Sequence, residues 1–129
     1  MKIQHGRDAG SRSAQRSDTF SGEVWGDPVL PATDGVLINS VFFAPGGRTY
    51  WHTHERGQVL YVTSGSGWIR DRDGNGGSIR AGDTVWIPPG EEHWHGAAQG
   101  SYLVHLAISL GSTNWLDEVS DDDYSKGAA

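Results

Sequence analysis

Residues 46–65, GGRTYWHTHERGQVLYVTSG, and residues 82–97, GDTVWIPPGEEHWHGA, decide how this chain folds. An extended backbone turns residues i and i+2 to the same face, so His52 and His54 of the first stretch point together. After the short Glu55-Arg56-Gly57 turn, alternation places Gln58, Leu60 and Val62 on what would be an inner face. The second stretch supplies His93 and His95, again in period 2, directly after the rigid Pro88-Pro89-Gly90 turn. His52, His54 and His93, with the amide oxygen of Gln58, make a shell for a divalent first-row metal that leaves room for water or substrate.

Outward from these stretches, short β-type segments recur with turn signals between them. SGEVW precedes Gly26-Asp27-Pro28, VLINSVFFA precedes Pro45-Gly46-Gly47, and QVLYVTSG, GWIRD, SIRAGDTVWI and SYLVHLAIS follow. Such spacing predicts an all-β sandwich or barrel. At 129 residues the chain suits one domain, and 19 glycines fit frequent turning. Six Trp, four Tyr and three Phe supply large burial area where the hydrophobic fraction is only 36%. Residues 1–18 are polar and without period and read as an arm, one that pairing with a neighbouring subunit could order; 19–129 read as the domain. The tail from Asn114 is expected to form one or two helical turns with Trp115, Leu116 and Val119 as its apolar side.

A net charge of −6 without any basic run excludes nucleic-acid and anionic-membrane partners. With no Cys, a metal here takes N and O ligands. The sequence has neither a signal-peptide core nor an apolar run long enough for a membrane span, so a cytoplasmic protein is expected.

The spacing Gly46, five residues, His52-Thr53-His54, three residues, Gln58, six residues, Gly65 resembles the first motif of the cupin superfamily. Gly82, five residues, Pro88, one residue, Gly90, two residues, His93 resembles the second. The motif's usual Glu is Gln58 here, and its usual final Asn is Ala97. The resemblance implies a double-stranded β-helix, the jelly-roll barrel, with the metal inside the barrel mouth. A closer similarity, running from Phe20 to Tyr124, is to small manganese cupins that include bacterial hydroxynitrile lyases. It implies Mn(II), with Fe(II), Zn(II) or Ni(II) as alternatives, and a homodimer or homotetramer. It also places His95 and His105 in a substrate pocket, as catalytic residues. Alternation independently puts Leu103, His105, Ala107 and Ser109 on one face. The lyases carry Gln where this chain has Ser109.

Three neutral imidazoles and a neutral amide cancel none of a divalent ion's charge, which makes the centre a stronger Lewis acid than a carboxylate-bearing one. For a cyanohydrin substrate, His105 or His95 removes the hydroxyl proton, the C–C bond breaks, and the other histidine protonates the departing cyanide. Asn39, Val41 and Phe43 share a face and, with Leu60, Leu103 and Ser109, are the expected pocket wall for a small-molecule substrate. Competing readings are a dioxygenase, or a decarboxylase or isomerase-type enzyme, acting on a small aromatic or keto acid, and a non-catalytic small-ligand-binding protein.

Other features read as structural. Asp71-Arg72-Asp73-Gly74-Asn75-Gly76 begins like a calcium loop but has Gly82 where that loop needs a bidentate Glu, so it reads as a hairpin connection. Gly65-Ser66-Gly67 reads as a tight turn, and Asp121-Asp122-Asp123 as a solvated tail. His5 lies in the polar arm. Alternation sends Trp51 and Trp94 away from the metal, since each adjoins a ligand.

Overall fold

The computed structural model describes residues 1–128. Twelve strands and one helix follow one another in the order β1 Ala14–Arg16, β2 Phe20–Ser21, β3 Val24–Thr33, β4 Val36–Phe43, β5 Arg48–Thr49, β6 His52–His54, β7 Gln58–Asp71, β8 Gly76–Arg80, β9 Thr84–Ile87, β10 His93–Ala97, β11 Leu103–Leu110, β12 Thr113–Trp115 and α1 Asp121–Gly127. Every ladder is antiparallel, and the central path runs β1-β3-β4-β11-β7-β10-β5-β2. The strands curl around a core that includes Val24, Phe43, Leu60, Val62, Ile69, Ile87 and Leu103. This is the jelly-roll barrel that the cupin resemblance implies, and it agrees with the all-β sandwich or barrel that the spacing of turns and strands predicts.

The expected turn at Gly65-Ser66-Gly67 does not exist, because β7 runs without a break from Gln58 to Asp71. Its first half pairs with β11 up to Gly65, and its second half pairs with β10 from Gly67 onward. One strand therefore serves both sheets. Gly65 has φ 76°, and a Cβ there would lie 2.0 Å from the carbonyl oxygen of Tyr102. At this bend only glycine lets the neighbouring strand approach so closely. Next to it the ladder slips, with Val104 opposite Ser64 but His105 opposite Val62, which leaves Thr63 as the extra residue of a bulge. The bulge inverts the parity of the strand. Gln58, Leu60 and Val62 are buried before it, and Gly67 and Ile69 after it.

Two further expectations are corrected. Part of the N-terminal arm is ordered by its own chain, with Ala14–Arg16 laid against β3. The tail forms a helix only from Asp121, while Trp115 belongs to β12, opposite His52. Ser120 caps the helix by accepting from the Asp123 N–H at 3.0 Å, and three acidic residues occupy the first turn where the helix dipole favours them. The segment is fastened by Arg48, which donates to the Val119 carbonyl at 3.0 Å, and by Tyr124, whose hydroxyl donates to Ala97 O at 2.6 Å. Val119 and Tyr124 join Trp51 and Trp94 in a second small core on the outer side of β10. Trp51 and Trp94 thus stand away from the histidines beside them, as alternation predicts. Among the described residues no helix is long and apolar enough to cross a membrane.

The close approach at Gly65 predicts an unequal pair of glycine replacements. Gly65→Ala should lower stability by about 3 kcal/mol, roughly 10 °C in Tm. Gly74 has φ 84° with open space around its Cα. Gly74→Ala should therefore show only the backbone strain of about 1 kcal/mol. Equal losses in thermal denaturation would mean that β7 can move away from β11 at its bend.

Candidate metal centre and pocket

Register brings the histidines together. His93 of β10 lies directly opposite His52 of β6, and His54 lies opposite Thr113 of β12. The Gly90 N–H at the end of the proline turn donates to the His54 carbonyl at 3.0 Å, which latches the start of β10 to the β6 strand. The rings of His52 and His93 are 4.2 Å apart by centroid, those of His52 and His54 4.9 Å, and those of His52 and His95 5.3 Å. His52, His54, Gln58, His93, His95, His105 and Ser109 are all buried. None of the buried polar side chains among the described residues is Asp or Glu. The whole donor set is uncharged.

The hydrogen bonds fix which nitrogen of each ring is free. His52 donates its Nδ1–H to the Tyr50 carbonyl at 2.8 Å, and His93 donates its Nδ1–H to the Glu91 carbonyl at 2.9 Å. A carbonyl only accepts, so the neutral rings carry bare lone pairs at Nε2. The His54 ring meets Thr113 Oγ1 through Nδ1 at 3.0 Å, and its buried Nε2 has no hydrogen-bond partner among the described residues. Gln58 gives an Nε2–H to Ser109 Oγ at 3.1 Å, leaving Oε1 3.3 Å from His93 Nε2. Two acceptors facing each other in a buried site repel unless a cation sits among them. The donor set therefore fits a divalent metal ion. One ring nitrogen from each of His52, His93 and His95 lies within 4.8 Å of the others. His54 falls outside that tight trio, although its unpartnered Nε2 makes it an equally available donor.

Burial disfavours the imidazolium form and pulls every pKa in the cluster down from 6.5. Desolvation, then the charge of His93, lowers His54 to about 4. Desolvation lowers His93 and His105 to about 4 as well. His52 and His95 fall well below 6.5 for the same first reason, reinforced by neighbouring histidines. All five rings are thus neutral at physiological pH, the form in which imidazole binds metal or accepts a proton.

His95 Nδ1 and His105 Nε2 are 2.9 Å apart and share one proton. The other nitrogen of each, His95 Nε2 and His105 Nδ1, is buried without a hydrogen-bond partner among the described residues. Both rings border a chamber of about 90 Å³ together with His54, Gln58, Ser109, Asn39, Val41 and Phe43. Leu60 and Leu103 lie in the hydrophobic core and are not part of its wall. Phe20, Leu37, Thr49, Ala107, Thr113 and Trp115 complete the lining. Leu37 and Ala107 could have been found by extending the alternation of β4 and β11. Phe20 and Trp115 come from distant segments that meet only in the fold, their rings 5.5 Å apart. Outside the chamber a wider cleft of about 500 Å³ shares Phe20, Leu37, Asn39, Val41, Thr113 and Trp115 and is bordered by residues 15–19.

Residues 39–109 match the model of the cupin domain. Over 116 residues the chain is 44% identical to an (R)-mandelonitrile lyase of Granulicella tundricola, a match covering 85% of this chain and 88% of that one. It is 30% identical over 78 residues to an acireductone dioxygenase of Gluconacetobacter diazotrophicus, covering 58% of this chain and 44% of that protein. A solved cupin-like protein from Thermotoga maritima superposes with a TM-score of 0.85 at 38% identity, covering 93% of this chain and 96% of the other. Two motifs, a jelly-roll barrel and a buried histidine cluster at its mouth agree with these likenesses: the chain belongs to the cupin domain family.

Proposed function

We propose that this protein is a metal-dependent lyase that cleaves small cyanohydrins to an aldehyde or ketone and hydrogen cyanide. The observation that carries the reading is the His95–His105 pair, 2.9 Å apart, neutral, and bordering the same chamber as the donors His54 and Gln58. The likeness to a mandelonitrile lyase over 85% of the chain supports it. His52, His54, Gln58 and His93 would hold the ion, Mn(II) by family resemblance. When bound, the ion supplies Lewis-acid polarisation of the substrate oxygen.

The remaining steps fall to the protein. His95 Nε2, whose partner nitrogen is occupied by His105, takes the hydroxyl proton. The O–H electron pair forms the carbonyl, the C–C bond breaks, and its electrons leave with cyanide. His95 then returns the proton to the cyanide carbon. His105 Nε2 accepts the His95 Nδ1–H, which keeps His95 Nε2 bare before the reaction and shares the positive charge during it. Phe20, Val41, Phe43 and Trp115 give the chamber an apolar wall. A chamber of about 90 Å³ suits the reacting carbon and cyanide, so a larger substituent would extend into the outer cleft. Exposed Trp25, Tyr61, Trp86 and Tyr102 on the outer surface support assembly as a homodimer or homotetramer.

The partial likeness to a dioxygenase favours oxygen chemistry as the second reading. Cyanide release from mandelonitrile and oxygen uptake by the iron-loaded protein separate the two. Release without uptake is the expected result, and uptake without release would replace the lyase reading.

His95→Ala should lower kcat for cyanide release about 100-fold or more while the protein keeps its metal. Loss of the metal instead would make His95 a ligand, as its place in the tight trio allows. Because burial holds His105 at about 4 and His95 well below 6.5, protonation removes the base only in more acidic solution. The kcat/KM profile should therefore stay level through pH 6.5 and fall toward pH 4. Half-loss of activity at pH 6.5 would show an unperturbed histidine acting as base.

A further inference from the structure

We infer that Ser109 is a positioning residue that anchors the Gln58 amide by its nitrogen end with its oxygen toward the metal site, an inference that rests on the metal-centre reading above. A glutamine presents either an oxygen or an NH₂ group, and the two ends fill nearly the same space. Only the oxygen can serve a cation. In this protein Ser109 Oγ accepts the Gln58 Nε2–H at 3.1 Å, which ties the nitrogen end away from the site and leaves Oε1 3.3 Å from His93 Nε2. Both side chains are buried, so water is poorly placed to replace the contact.

The backbone makes the pairing obligatory. Ser109 of β11 stands directly opposite Gln58 at the start of β7, in the register that runs unbroken from His105 to Ser109. Ala107 and His105 follow inward along the same strand, so one face of β11 carries the amide-orienting hydroxyl, a small residue and the ring that orients His95. The His93 ring cannot make the choice itself. With its Nδ1–H given to the Glu91 carbonyl, its Nε2 lone pair would draw the NH₂ end of Gln58 toward the site whenever the cation is absent. The Ser109 hydroxyl can meet either end of the amide, so the cation selects the oxygen end and the serine holds the amide in place once it is selected.

The test is titration of Mn(II) into metal-free wild type, Ser109→Ala and Gln58→Ala, with thermal denaturation of each metal-free protein. The expected result is an Mn(II) Kd raised about tenfold or more in Ser109→Ala, with the metal-free Tm within about 2 °C of wild type. A Kd within about twofold of wild type, while Gln58→Ala is weakened, would overturn the role of Ser109 and leave the ligand set standing. Failure of wild type to bind Mn(II), or no weakening in Gln58→Ala, would overturn the ligand reading and this inference together. Loss of metal-free stability matching the loss of affinity would reduce Ser109 to a packing residue.

Discussion

Everything about this site follows from placing five imidazoles in a barrel lined by apolar side chains, where the charged ring is the costly form. Desolvation keeps His54, His93 and His105 neutral down to about pH 4. A neutral imidazole has one N–H and one lone pair, so deciding where the N–H goes decides what the ring can do. His52 and His93 spend theirs on the carbonyls of residues 50 and 91, each two positions earlier on the same segment. Their lone pairs are left facing inward, toward the Gln58 oxygen and the unpartnered His54 Nε2. Leaving such acceptors buried and unmatched costs about 1–3 kcal/mol each, which a divalent cation would recover. The fold is thus built to want an ion at this place.

The same economy of protons organises the neighbouring pair. His95 and His105 share one hydrogen bond, so either ring's outer nitrogen is free as base or donor according to where the shared proton sits. The closeness of His95 to His52 and His93 means that ligand and base are separated by little distance and by proton placement alone. Ser109 adds to the same arrangement, since it anchors the nitrogen end of the Gln58 amide away from the site.

Most of the site was legible in the sequence because period-2 alternation is a local property. His52 with His54, Gln58 with Leu60 and Val62, and His105 with Ser109 were all paired correctly by face. The bend in β7 was not legible, because Gly65-Ser66-Gly67 has the composition of a turn and only the neighbouring strands show that the strand continues unbroken through it. Its bulge at Thr63 rests on a pairing between residues about forty positions apart, which no local pattern encodes. For the same reason Phe20, Trp115 and the Thr113 partner of His54 escaped notice, and Leu60 and Leu103, assigned inward correctly, proved to fill core rather than pocket. Ordering of residues 14–16 against β3 likewise depends on a tertiary contact rather than on the composition of the arm.

The central claim is that His52, His54, Gln58 and His93 hold the ion while His95 stays free to move a proton. A crystal structure of the Mn(II)-loaded protein, with the ion located by its anomalous scattering, tests this most directly. The account predicts an ion bound by Nε2 of His52, His54 and His93 and by Oε1 of Gln58, with His95 outside the coordination shell and still bonded to His105. An ion held by His95 in place of His54, or one that leaves Gln58 turned with its nitrogen inward, would contradict it.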